Sequence, residues 1–188
     1  MRKLSLLAAV AVTALATSSA TSSHASVMTI GGGYATSCYQ SAKHQDARQQ
    51  ALDECDHALS QEALVNSDRA ATLINRGILH LRRENLRAAG ADFDAALRID
   101  PRQPEAWLNK AIMQVRHGKA SPAMPFVAHA LEYGTQRPSL AYFVRAMAYE
   151  DDGNLRAAYN DLQRARDLDP DWDQPAIELR RYRVNGRS

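Results

Sequence analysis

The chain has 188 residues, 45% hydrophobic and 23% charged, which fits one small globular unit with appendages and excludes a disordered or fibrous chain. Its 23 Lys and Arg against 21 Asp and Glu give a formal charge of +2, and the excess is Arg2 and Lys3. Beyond residue 25 the charges balance, so no global field draws the chain to nucleic acid or anionic lipid, and any electrostatic recognition is local.

Arg2 and Lys3 precede an apolar run from Leu4 to Thr17, and small residues then offer a cut after Ala20 or after Ala25. A positive start, a short apolar run and small residues make residues 1–25 a secretory signal peptide; an uncleaved N-terminal anchor is the alternative. The first cysteine, Cys38, lies far past the apolar run, which argues against a lipid anchor. No other run is long enough to span a bilayer. The chain is therefore expected to be exported, periplasmic or extracellular, with no stable membrane anchor after cleavage. Residues 26–33 read as a flexible leader with Gly31-Gly32-Gly33 as a hinge and no phosphate-loop pattern. Either it is a loose tail, or Val27, Met28 and Ile30 lie in the protein's own groove.

Cys38 and Cys55 are 17 residues apart, and two cysteines in an exported chain are most simply a pair. On one straight helix they would stand roughly 25 Å apart, whereas a disulfide holds its Cα atoms within about 7 Å. Pairing therefore requires the chain to reverse near Lys43 to Asp46. Two unpaired, buried cysteines are the other reading.

From Leu73 to Pro101 the chain reads L-x2-R-G-x2-H, then A-x3-F-x2-A, then D-P, and this skeleton returns at Trp107 and at Tyr142. Gly77, Ala111 and Ala146 recur at steps of 34 and 35, and Ala96, Ala130 and Ala165 repeat the same steps. Such a period marks a solenoid of helix pairs. In the first pair the spacing predicts helices over 69–83 and 86–98, after a capping signal at Asn66-Ser67-Asp68 and with Asn85 as N-cap. Gly77 lets the two helices approach closely, and Asp100-Pro101 stops the second. In the second pair the helices are expected over 104–117 and 122–132. Pro122 and Pro125 sit in the first turn of the latter, where a missing N–H is tolerated, and Gly134 serves as C′ cap. The third pair is expected over 139–152 and 155–168, closed by Asp169-Pro170. A last helix from Asp173 to about Val184 is expected to cover the third pair with Ile177, Tyr182 and Val184, while Glu178, Arg180, Arg181 and Arg183 face water.

These residues resemble the tetratricopeptide repeat (TPR) family, whose pattern is W-x2-L-G-x2-Y…A-x3-F…P. The resemblance implies an all-α fold: an α-solenoid of about three helix hairpins in a right-handed superhelix, with repeats over 70–103, 104–138 and 139–172 inside the segment 67–172. Residues 173–188 are then a capping helix and tail. In the repeat register Cys55 takes the aromatic place of a second helix and Cys38 the leucine place of a first, positions that face each other in a TPR hairpin. The resemblance thus implies a degenerate hairpin over 34–66 stapled by Cys38–Cys55.

Family arrays bind segments of other proteins along the concave surface of their first helices. The corresponding groove positions are Ile74, Asn75, Ile78, Leu81 and Arg82 in repeat one, and Leu108, Asn109, Ile112, Val115 and Arg116 in repeat two. In repeat three they are Phe143, Met147, Glu150 and Asp151. Asn75 and Asn109 can hold a ligand backbone in both directions. Where the carboxylate-clamp subgroup carries basic residues, this chain has Leu140 and Val144, so a chaperone-tail type of ligand is not expected. The implied function is a non-enzymatic adaptor that binds a polypeptide partner in this groove. The alternative is a self-associating module, such as a homodimer, whose groove is filled by its own N-terminal segment or a second protomer.

Nothing in the sequence assembles an active site. The histidines His24, His44, His57, His80, His117 and His129 form no H-E-x-x-H, and the cysteines lack zinc spacing. Asp53 and His57 make one i, i+4 pair, which is not a metal site. His80 stands at the family's tyrosine column and reads as a packed polar residue. Asp92, Asp94, Asp151 and Asp152 read as solvent-face or helix-end carboxylates. No catalytic residue, cofactor or metal is expected.

Overall fold

A computed structural model describes residues 25–28 and 33–182. Its elements are α1 (Tyr34–Lys43), α2 (Gln49–Gln61), α3 (Asn66–Arg82), α4 (Leu86–Ile99), α5 (Pro104–Arg116), α6 (Met124–Glu132), α7 (Pro138–Asp151), α8 (Leu155–Leu168) and α9 (Asp173–Leu179). A 3-10 turn, Ser121–Ala123, leads into α6, and no strand occurs among the described residues. Each helix packs on its neighbours in sequence. In addition α1 packs on α3, α3 on α5, and α5 on α7, so the first helices of successive hairpins form one continuous layer. This is the nearest-neighbour logic of an α-solenoid.

Local chemistry sets the boundaries. Asn85 and Asn154 cap α4 and α8, their side-chain oxygens accepting the N–H of Ala88 at 3.2 Å and of Ala157 at 3.1 Å. A Cβ on Gly77 would stand 2.5 Å from Cε1 of Phe93, a fully buried ring, so only glycine permits this approach of α3 to α4. Pro122 and Pro125 fall in the 3-10 turn and the first turn of α6. Gly134, at φ 77°, ends α6 in the left-handed region.

The helix α3 begins at Asn66, earlier than the capping signal implied, with Val65 extended ahead of it and Asp68 in its first turn. Asp68 there faces the positive end of the helix dipole, which favours the added turn. The helix α9 stops at Leu179, short of Val184, which lies outside the described residues. Ile177 is exposed, and Leu179 with Tyr182 packs on the cluster of Ala146, Ala158 and Leu162 instead. Tyr182 covers the third pair as expected, but Leu179 takes the place expected of Ile177, and residues two apart on a helix face different ways.

The sulfurs of Cys38 and Cys55 are bonded, their Cα atoms 4.8 Å apart, after the chain turns at His44–Ala47. The start of α1 has no capping side chain of its own. Glu62, just past α2, fills that role by accepting the N–H of Tyr34 at 2.5 Å and of Ala35 at 3.2 Å. A carboxylate at a helix N-terminus also meets the positive end of the dipole. The staple at the middle of the two helices and this cap at the start of α1 fix α1 against α2. No described helix is long and apolar enough to cross a membrane.

Candidate peptide-binding groove

The inner layer of α1, α3, α5 and α7 is where the expected groove residues fall. Ile74, Ile78, Leu81 and Leu108 are fully buried and Ile112 nearly so, in a cluster that includes Cys38, Ala42 and Ala25. The apolar side chains are therefore covered, on one side by α1 and on the other by the segment Ala25–Met28. Phe143 and Met147 do not join them. They are half-buried in the separate cluster at the end of the solenoid, where Phe143 meets Trp172 with ring centroids 5.0 Å apart.

The segment Ala25–Met28 is held mainly through its backbone. Asn75 accepts the N–H of Val27 at 2.9 Å and donates to the carbonyl of Val27 at 2.6 Å, a pairing in both directions. Asn109 donates to the carbonyl of Ala25 at 3.0 Å and to that of Glu105, one helical turn earlier, at 2.9 Å. Both asparagines are fully buried. A primary amide offers both donor and acceptor, so one side chain replaces the pair of bonds an extended residue would make to a neighbouring strand. Ala25 is only 2% exposed, while Met28 is 68% exposed, so the segment is enclosed at its Ala25 end and open to solvent at Met28. Of the two readings of the leader, this is the one in which Val27 lies in the groove; Ile30 lies outside the described residues.

Charged residues mark the ends of this surface. Arg82 donates to the carbonyl of Ala42 at 2.7 Å, tying the last turn of α3 to the end of α1. Burial first, then the neighbouring Arg116 guanidinium, pull Arg82 down to about 10. Arg116 itself is exposed. At the far end Glu150 accepts from the Tyr182 hydroxyl and lies 3.5 Å from Arg181, so the chain's own C-terminal turn engages it. Asp151 accepts the N–H and hydroxyl of Ser121, both at 2.9 Å, which lowers its pKa and anchors the turn before α6.

Sequence reasoning missed three buried carboxylates, Asp92, Asp161 and Glu105. Asp92 is buried, not a solvent-face residue as its neighbour Asp94 is. Arg76 of α3 forks onto it with bonds of 2.9 and 2.6 Å. The same fork joins Arg145 to Asp161 at 2.7 and 2.8 Å. The recurrent spacing of Arg and Asp 16 residues apart is the signal that could have revealed it. Glu105, also buried, accepts the hydroxyl of Thr135 at 3.2 Å and the N–H of Gln136 at 2.8 Å, tying α5 to the loop before α7.

The histidines remain dispersed. His57 is hydrogen-bonded to Gln61 at 2.8 Å and its ring lies tilted against that of Tyr34, and Asp53 accepts from Gln49. His80 is half-buried 4.0 Å from Asp92, and burial lowers its pKa. No group of three or more metal-ligating side chains occurs among the described residues.

The chain is thus an all-helical repeat protein of TPR-like architecture, with a disulfide and an inner face that holds an extended segment. Among solved structures it is similar to "MamA RS-1 ArsTM double mutant", a TPR-like helical-repeat protein, with a TM-score of 0.60 and 21% identity over 79% of this chain and 82% of that chain. No family model and no curated protein matches it.

Proposed function

We propose that the chain is an exported, non-enzymatic scaffold whose concave groove binds an extended polypeptide segment of a partner protein. The observation that carries this reading is the two-way pairing of Asn75 with the backbone of Val27 on a fully buried apolar floor. Such a site recognises extended chain as such, because backbone N–H and C=O are common to every partner. The disulfide supports an oxidising compartment, periplasmic or extracellular, in line with a signal peptide cut after Ala20, the one of the two expected cuts that leaves Ala25–Met28 on the exported chain. Arg82 and Arg116 then edge the site, and Ile74, Ile78, Leu81, Leu108 and Ile112 form its floor.

Crosslinking mass spectrometry on the exported protein in intact cells tests this. The expected outcome is a recurring foreign protein crosslinked to the inner face of α3 and α5, lost in a folded Asn75→Ala, Asn109→Ala variant. An unchanged set of crosslinks in that variant would overturn it.

A second reading is favoured by the near-complete burial of Ala25. Here the leader is a permanent part of the core and the protein a structural module. Crosslinks confined to the chain itself or to a second copy would support that reading over the first.

A further inference from the structure

The Cys38–Cys55 bond lies out of reach of solvent. Both cysteines are fully buried, and part of their cover comes from outside the hairpin that carries them. The helices α1, α2 and α3 all pack on one another, and the Sγ atom of Cys38 stands 3.9 Å from the backbone carbonyl oxygen of Thr72 in α3. Both cysteines share one apolar cluster with Leu73, Ile74 and Ile78 of that helix. The bond that joins α1 to α2 therefore faces a third helix, which is no part of the loop it closes.

That third helix is latched across the hairpin by arginines spread along its length. Arg69 donates to the carbonyl of Leu59 at 3.1 Å and Arg76 to the carboxylate of Asp56 at 2.6 Å. Arg82 donates to the carbonyl of Ala42 at 2.7 Å, and the C-cap residue Arg83 to that of Ala47 at 2.9 Å. Leu59 and Ala42 lie in the last turns of α2 and α1, whose carbonyls have no partner inside their own helix. The hairpin leaves these acceptors open, and docking of α3 fills them.

Thiol–disulfide exchange requires a thiolate to meet a disulfide sulfur directly, so its rate follows access. With α3 in place a disulfide donor cannot touch either sulfur. Both cysteines also precede Thr72 in the chain, so export with the N-terminus first delivers the two sulfurs before the helix that covers them.

We infer that the Cys38–Cys55 bond is made on the free α1–α2 hairpin, by a disulfide donor of the oxidising compartment, before α3 closes over it. One cysteine thiolate attacks the donor's disulfide and expels one donor thiolate. The second cysteine then attacks the mixed disulfide and expels the other. Two electrons and two protons pass from the cysteines to the donor, which leaves as two thiols. A chain that closes α3 first holds two stranded thiols and is oxidised only when the hairpin reopens. This order is independent of what the groove binds, and the exported location enters only as the source of the donor.

The test uses the full exported chain, oxidised glutathione as donor and dithiothreitol as reductant, with free thiols counted by alkylation and intact mass. The native bond should be reduced at least about a hundredfold more slowly than in the same chain unfolded in urea. Reduced chain that meets oxidised glutathione on dilution from urea should oxidise at least about tenfold faster than chain first allowed to refold. Arg69→Ala combined with Arg83→Ala loosens the latch without touching the sulfurs. It should speed reduction of the native bond about tenfold, the weight of the hydrogen bonds lost, with circular dichroism confirming that the helices remain.

Equal reduction rates for the native and the unfolded chain would overturn the inference, because the sulfurs would then be open with α3 docked. Oxidation of a folded, reduced chain as fast as on dilution would overturn it as well. A reduced chain that gains no helix until it is oxidised would support the same order, since α3 then docks only on the finished bond. Unchanged reduction in the folded double variant would overturn the part given to α3.

Discussion

The first and third hairpins fasten their two helices with a buried guanidinium–carboxylate fork, Arg76 on Asp92 and Arg145 on Asp161. The second hairpin has Lys110 and Phe126 at the same two places in the repeat, with the ammonium 4.8 Å from the ring centroid. Lys110 also pairs with exposed Asp94 at 2.6 Å, and its ring neighbour Trp107 stacks with Phe126 at 6.0 Å. One position thus carries either a hydrogen-bonded ion pair or a cation over an aromatic face. The cation is retained throughout and the anion is exchanged for a ring. The lesson concerns tolerance: the repeat requires a positive group packed across the hairpin, and two different acceptors meet that need.

Substitutions can break this comparison in order of size. Phe93→Ala removes a fully buried ring from the first hairpin and should cost about 3–5 kcal/mol, with chemical denaturation as the readout. The half-exposed Phe126 should cost clearly less when truncated in the same way. A destabilisation of equal size would mean the second hairpin is no looser than the first. Reducing the Cys38–Cys55 bond should lower stability by about 3 kcal/mol in the chain-entropy view, because it closes a loop of moderate length. Thermal melting with and without a dithiol measures this.

Asp92→Ala leaves Arg76 only its exposed partner Asp56, at 2.6 Å, and should cost about 2 kcal/mol. Lys110→Met should cost less than about 1 kcal/mol, since a cation over a ring at a partly exposed site contributes little. A reversal of that order would remove the distinction between the two kinds of fastening.

The smallest effect belongs to His80. Burial holds its folded-state pKa below the ordinary histidine value, so the unfolded chain binds the proton more readily. Its contribution to stability is present above about pH 6.5 and is lost as pH falls through the folded value. The stability of His80→Gln should therefore fall less steeply with acidification below that point. Parallel pH profiles for the two proteins would show that His80 does not titrate with folding.

Much of this architecture can be read in the chain because it is written in residue types at fixed steps. Gly77 opposite Phe93, Asn85 and Asn154 as caps, and the paired Cys38 and Cys55 are all choices that few other residues could replace. The seating of the leader is different. Asn75 and Asn109 hold Ala25–Met28 by backbone groups, which every residue possesses, so the held segment carries no signature of its own. The cap that Glu62 gives to α1 is equally silent, because donor and acceptor stand 28 residues apart. Asp92 looked like a surface residue because its partner lies across a turn, and only the register of the folded hairpin brings Arg76 to it.

The division of the core within α7 has a consequence for how the molecule breathes. Leu140, Ala141 and Val144 belong to the main cluster that runs back to the leader, whereas Ala146 joins the small cluster with Ala158 and Leu162. The last two helices therefore lean on a separate and much smaller apolar patch. Amide protons of α8 and α9 are therefore expected to exchange through a local opening that leaves the inner layer closed, which native-state hydrogen exchange would read as weaker protection there than in α3 and α5. The terminal hairpin can fray and re-form while α3 and α5 keep their hold on the segment between them.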